Sequence, residues 1–90
     1  MSEARQRLDV WLFQARFLKS RALAARFVSD GGVRLERAGT ITRIDKPASL
    51  VQPGDILTLA FSGRIMRVEI RALGMRRGPA AEARQLYVIV

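Results

Sequence analysis

Residues 19–35, KSRALAARFVSDGGVRL, hold a helix between two chemically defined ends. Ser20 is suited to open it, because its hydroxyl can accept a free backbone N–H of the first turn. Leu23, Ala24, Phe27 and Val28 then share one face, while Ala22, Ala25 and Ser29 share the other, bordered by Arg21 and Arg26. Asp30, Gly31 and Gly32 end it, since glycine enters the left-handed conformation of a C-terminal cap without steric penalty. The turn lets Val33 and Leu35 enter a strand with Arg34 facing outward. A helix stopped and reversed into a strand this abruptly, in a chain of 90 residues, leaves room for one small core and no second.

The flanking sequence supplies partners for that unit. Residues 1–6 read as a loose polar lead. From Leu8 the apolar positions Leu8, Trp11, Leu12 and Ala15 recur at helical spacing, with Asp9 in the first turn, where the helix dipole favours a carboxylate. Val10, Phe13 and Phe17 lie on the opposite side, so this first helix is expected to be sandwiched. The alternative is that Phe13 or Phe17 stands exposed as a stacking platform for a base. ERAGTITRIDKPASL, with Gly39 and Pro47 as turn signals and Ile41 and Ile44 as anchors, reads as mostly loop with a short strand. QPGD at 52–55 reads as a turn, with proline second and glycine third. ILTLAF and RIMRVEIRAL read as a hairpin closed at Ser62 and Gly63; Met66, Val68 and Ile70 alternate with Arg67, Glu69 and Arg71. GPAAEARQLY starts another short helix, with Pro79 near its first turn.

Composition limits the chemistry. The chain contains neither histidine nor cysteine, which removes the usual general base, imidazole and thiolate metal ligands, disulfides and cysteine nucleophiles. Its carboxylates are scattered, and the double glycine lacks the lysine and serine that would follow it in a phosphate loop. No catalytic residue, metal ligand or cofactor is therefore expected. No stretch reaches membrane-spanning length and the N-terminus lacks a signal-peptide core, so a cytoplasmic protein is expected. Sixteen basic against eight acidic residues give a net charge of +8, which points to a polyanionic partner. Arginine supplies most of that charge, and its planar fork grips phosphate where lysine offers only a point charge. Arginine in place of lysine also follows from genome composition.

Arg16, Lys19 and Arg21 crowd the junction between the two helices, and Ser20 opens the second, whose free N–H groups point the same way. A phosphate site results. The competing reading leaves these arginines solvated or paired with Asp9, Asp30 and Glu36, an arrangement worth only about 0–1 kcal/mol at a surface.

Taken together, RLDVWLFQARFLKSRALAARFVSDGGVRL resembles the RNA-binding domain named after ribosomal small-subunit protein four. The matching positions are Arg7, Leu8 and Asp9, Arg16, Lys19–Ser20–Arg21, Ala24, Val28, Gly31 and Val33, and the likeness continues through KPASLVQPGDILTL. RRGPAAEARQLY further resembles the bacterial heat-shock protein fifteen branch, in which a stand-alone domain of this kind carries a short strand and helix. The resemblance implies an α+β fold of the αL type: two helices packed on a small bent, mostly antiparallel sheet, with a C-terminal hairpin strand and short helix. It implies a single RNA-binding domain over residues 1–90, with a core at 7–60 and an extension at 61–90. It assigns RNA contacts to Arg7, Arg16, Lys19, Ser20, Arg21 and Arg26, and to Arg34 and Lys46. Its implied partners are structured ribosomal and transfer RNA, on the large ribosomal subunit that still holds peptidyl-tRNA after aborted translation. A monomer is expected. Where the family joins its first two strands through a tight turn with Asn and Gly, this chain has the longer ERAGTITRID.

Two other functions remain open from sequence. The chain could be the RNA-guiding module of a modifying enzyme such as a pseudouridine synthase, detached from its catalytic domain; the extension at 74–87 argues against this. Its basic surface could instead meet anionic membrane, but the second helix exposes mostly alanine rather than a broad apolar face.

Overall fold

Two short helices and five antiparallel strands enclose Trp11, which has no exposed surface. The computed structural model describes residues 4–90. The lead assigned to residues 1–6 lies outside the described residues up to position 3. Its last residue instead joins β1 (Gln6–Arg7), which pairs antiparallel with β4 (Leu50–Val51). Helix α1 (Leu8–Gln14) follows at once, then α2 (Arg21–Ser29). The main sheet contains β2 (Val33–Arg37), β3 (Thr40–Ile44), β5 (Ile56–Phe61), β6 (Arg64–Ile70) and β7 (Tyr87–Ile89). Its order is β3-β2-β5-β6-β7, and every pairing in it is antiparallel. Helix α3 (Ala80–Ala83) and a 3-10 turn (Arg84–Leu86) lead into β7.

One face of the sheet is dry. Val33 and Leu35 from β2, Leu57 and Leu59 from β5, and Val68 and Ile70 from β6 meet Leu8, Trp11, Leu12 and Ala15 of the first helix and its end, and Ala24 and Val28 of the second. The two-residue alternation of the strands and the helical spacing of α1 and α2 therefore point at the same interior. On the opposite side of the first helix Phe13 and Phe17 pack against the core, while Val10 is half-buried and outside it. Phe17 lies 4.7 Å from Tyr87 and 5.9 Å from Trp11, ring centre to ring centre, so it packs inward rather than standing open as a platform. Leu23 departs from its expected face: it is 47% exposed, while Ala24 and Val28 are fully buried.

Both helices end by the same device. In α2 the Gly32 N–H donates to the Phe27 carbonyl and the Gly31 N–H to the Val28 carbonyl, with Gly31 at φ 86°. This is the paired reversal that satisfies two orphan carbonyls. The Phe27 ring closes over Gly32, where an added Cβ would come within 2.7 Å of it, and stacks on Phe61 at 4.9 Å.

The segment ERAGTITRIDKPASL corrects its expected loop. Five residues of it form β3, paired throughout with β2 from Val33↔Ile44 to Arg37↔Thr40. The connection is a two-residue turn with Ala38 at φ 51° and Gly39 at φ 80°. Two successive positive φ values are the backbone that matches strand twist in a tight hairpin, normally supplied by Asn-Gly. Alanine at the first position hides the turn from sequence. An L-residue held there costs about 1–2 kcal/mol. Ala38→Gly should therefore raise stability by about 1 kcal/mol after the added flexibility of the unfolded chain is counted. The expected readout is a higher urea midpoint at unchanged slope.

Candidate nucleic-acid interface

The chain between the helices is organised by Arg16. Its N–H donates to the Phe13 carbonyl and the Phe17 N–H to the Leu12 carbonyl, the same two-bond reversal that ends α2. Here the left-handed position belongs to arginine, at φ 66°. The Arg16 Nε donates to the Gly78 carbonyl at 2.7 Å, which fixes the base of the guanidinium and leaves its outer nitrogens exposed.

Four residues on, Ser20 caps α2 by accepting the Leu23 N–H at 3.1 Å. The Ala24 N–H takes the Ser20 carbonyl. The N–H groups of Arg21 and Ala22 have no hydrogen-bond partner among the described residues. Lys19 and Arg21 are exposed and likewise unpartnered among the described residues. Two open amide donors at a helix start, between two free cations and a few residues beyond Arg16, form a positive corner suited to a phosphate.

The start of α1 is built differently. Its Leu8 and Asp9 N–H groups donate to the carbonyls of Ser49 and Pro47, and the Val10 N–H to the carboxylate of Asp9. Asp9, 4% exposed, also takes both the Nε and an outer nitrogen of Arg7, at 3.0 and 2.9 Å. This contact raises the guanidinium of Arg7 above its ordinary range, through the hydrogen bond first and the carboxylate charge second. Arg7 is thus already engaged. Lys46 sits on the same exposed loop, 46–49, that closes this helix end, at the other end of α1 from Arg16.

Of the remaining expected residues, Arg26 is exposed on α2, one to two turns beyond Arg21, with Asp30 3.9 Å away. Arg34 lies on the face of the sheet turned away from the helices, since Val33 and Leu35 on either side of it are buried. Arg16, Lys19, Ser20 and Arg21 therefore share one corner and Arg26 extends it. Arg7 with Lys46, and Arg34 by itself, belong elsewhere on the surface.

The structure also brings residues to this corner that sequence reading did not select. The chain after β6 crosses the C-terminal end of α1, held by Trp11 Nε1 to the Ala72 carbonyl at 3.0 Å and Gln6 Nε2 to the Gly74 carbonyl at 2.9 Å. Arg77 donates to the Phe13 carbonyl at 3.3 Å, and its guanidinium lies 5.0 Å from the centre of the Phe13 ring. Arg76 beside it pairs with Glu82 at 3.1 Å. Phe13 is accordingly covered by a cation. The only sequence signal was the paired arginine before Gly78-Pro79, in a stretch read for its helix rather than its charge.

Fold and corner together define a class: a small α+β domain of the αL type with a cationic helix junction. The S4 domain family matches residues 6–36, from β1 through most of β2, and so contains the whole corner except the 72–78 crossing. Heat shock protein 15 of Escherichia coli K12 is 37% identical over 81 residues, covering 90% of this chain and 57% of the relative. The heat shock protein 15 homolog of Haemophilus influenzae is 33% identical over 87 residues, 97% of this chain and 63% of the relative. The chain thus spans less than two thirds of the length of either. A solved trimeric structure of Vibrio cholerae heat shock protein 15 superimposes with a TM-score of 0.83 at 34% identity, over 97% of this chain and 83% of that one. This chain belongs to the heat shock protein 15 family.

The strained position of Arg16 can be separated from its charge. Arg16→Gly and Arg16→Ala both lose the guanidinium and its bond to Gly78, but only alanine keeps a Cβ in the left-handed region. Arg16→Gly should be the more stable of the two by about 1 kcal/mol, measured as thermal midpoints of the two variants side by side.

Proposed function

We propose that this protein binds structured RNA without catalysing a reaction, and that the corner formed by Arg16, Lys19, Ser20, Arg21 and Arg26 seats the sugar-phosphate backbone. The observation carrying this reading is the open start of α2: two free backbone donors set between unpartnered Lys19 and Arg21. Charged hydrogen bonds of this kind suit phosphate oxygens better than any uncharged ligand. Membership of a family whose characterised members are named for heat shock supports a role in stress, and the net charge of +8 supports a polyanion over a small ligand.

The specific partner proposed is the large ribosomal subunit carrying peptidyl-tRNA left by aborted translation, in the cytoplasm. Duplex RNA keeps its base edges in a deep narrow groove, so a rigid cationic corner reads shape and phosphate spacing rather than sequence. Arg7 and Lys46 are assigned a weaker part, because Arg7 must share its guanidinium with Asp9. Residues 7–60 are proposed as the RNA-contacting core and 61–90 as an extension that contributes through Arg77 and the Gly78 carbonyl, the two packing as one domain. Trimeric assembly is described for the Vibrio cholerae protein; a monomer is proposed as sufficient for this corner, because Arg16 to Arg26 form one contiguous stretch of sequence.

Lys19→Glu combined with Arg21→Glu tests the proposal without disturbing a contact within the fold. Each charged contact is worth about 1.5–3 kcal/mol, so affinity for ribosomal RNA in filter binding should fall at least about a hundredfold. The dependence of log affinity on log salt should become shallower by about 2. In a sucrose gradient of cell lysate the unaltered protein should travel with free large subunits and the variant should not. Unchanged affinity in the variant, or an unaltered protein that stays at the top of the gradient, would remove the proposal.

A further inference from the structure

The outer face of the sheet carries a feature that the helix corner leaves unexplained. Arg34 on β2 and Arg43 on β3 stand directly opposite each other in register. Like charges directly across a strand pair are destabilising. Both are exposed, and neither has an ion-pair or hydrogen-bond partner among the described residues. The acids of that face are engaged otherwise: Glu36 takes Arg67 at 3.0 Å and Glu69 has Arg71 at 3.8 Å. The register continues the row from Arg34 to Thr58 on β5, whose hydroxyl has no hydrogen-bond partner among the described residues.

Beside this row lies an open cavity of about 190 Å³ lined by Gly31, Gly32, Arg34, Thr58, Ala60 and Ile65. Gly31, Gly32 and Ala60 bring only backbone and one methyl group to its lining. The Arg43 guanidinium occupies the space that a side chain on Gly31 would need, which puts it beside a residue of the hollow's lining. Ile65, 73% exposed, forms an apolar wall. Arg34, a hydroxyl donor and an apolar wall lining one hollow, with a second cation beside it, match a nucleotide with its base unstacked, since such bases are held by apolar side chains while cations track the phosphate.

We propose that this hollow is a second RNA contact, taking a single-stranded nucleotide with its phosphate between Arg34 and Arg43, hydrogen-bonded by Thr58, and its base against Ile65 over Gly32 and Ala60. The proposal rests on the RNA-binding reading above but uses a different surface and a different form of RNA. It explains why two opposed arginines are kept on a strand pair where either one would be better replaced. A phosphate between them converts the repulsion into two charge-assisted bonds.

The test is Arg34→Gln with Arg43→Gln, compared with Lys19→Glu with Arg21→Glu, in the full chain. The glutamine pair should melt no lower than the unaltered protein, because a repulsion is removed. In amide NMR titrations, short oligouridylate should shift Gly31, Gly32, Thr58 and Ala60 in the unaltered protein and in the Lys19/Arg21 variant, but not in the glutamine pair. The glutamine pair should also lose about a hundredfold in affinity for ribosomal RNA, with the salt slope reduced by about 0.7. If ribosomal RNA binds normally while oligouridylate shifts only the helix corner, or no residue at all, the second contact is refuted and the corner stands. Equal shifts and equal affinity with polyglutamate would assign the hollow to an acidic protein and also refute it. Failure of the unaltered protein to bind ribosomal RNA would strike the corner instead, independently of the oligouridylate result.

Discussion

Everything at the helix junction depends on one backbone reversal at residues 15–17. Two hydrogen bonds close the end of α1 and force Arg16 into the left-handed region, and that sets the direction in which the chain leaves for α2. Glycine would adopt this conformation without cost, whereas arginine is disfavoured there by about 1–2 kcal/mol. The offset comes from outside the helix pair. The Gly78 carbonyl accepts Arg16 Nε, and Arg77 bonds the Phe13 carbonyl from the other side. The segment after β6 thus acts as a clasp on the end of α1, and the guanidinium of Arg16 is aimed by residues more than sixty positions away in sequence.

The two helix starts show how a fold decides which anion site remains open. Both begin with a polar residue and both carry a partial positive charge at their first turn. At α1 that charge is spent on the carbonyls of Pro47 and Ser49 and on the carboxylate of Asp9, with Arg7 balancing the acid. At α2 only the Ser20 side chain and carbonyl intervene, and they satisfy the third and fourth amides but not the first two. Arginine count alone would rank the two ends alike. The difference lies in which backbone donors tertiary structure has already consumed.

Much of this was legible wherever a residue's local chemistry and its tertiary role agree. Ser20 caps α2, Gly31 and Gly32 end it, Pro53-Gly54 turns into β5, and the alternation of β6 separates Val68 and Ile70 from Arg67 and Glu69. The failures fall where a backbone state is occupied by an atypical residue. Arg16 and Ala38 are the positive-φ residues other than glycine among those described. Ala38 hid a two-residue hairpin inside what read as a loop, and Arg16 hid a helix cap inside what read as a charge cluster. The third kind of miss is long-range: nothing near Arg77 announces Phe13, and nothing in the final strand, Tyr87–Ile89, announces its pairing with β6. Such contacts follow from topology, which periodicity does not carry.

The atypical positions differ in what they leave behind. At Ala38 the strain is local to an exposed turn, and the neighbouring Arg37 is already engaged by Asp55, so glycine would serve as well. At Arg16 the strained backbone presents a charged group next to open amides. At Arg34 and Arg43 an unfavourable pairing of like charges is set at the mouth of a hollow. A small domain has little stability to lose, and a cost retained at a cationic surface with free donors is most simply offset when an anion binds. On that basis the opposed arginines point to an anion over the outer face of the sheet, the left-handed arginine to the clasp that holds it, and the alanine to a turn alone.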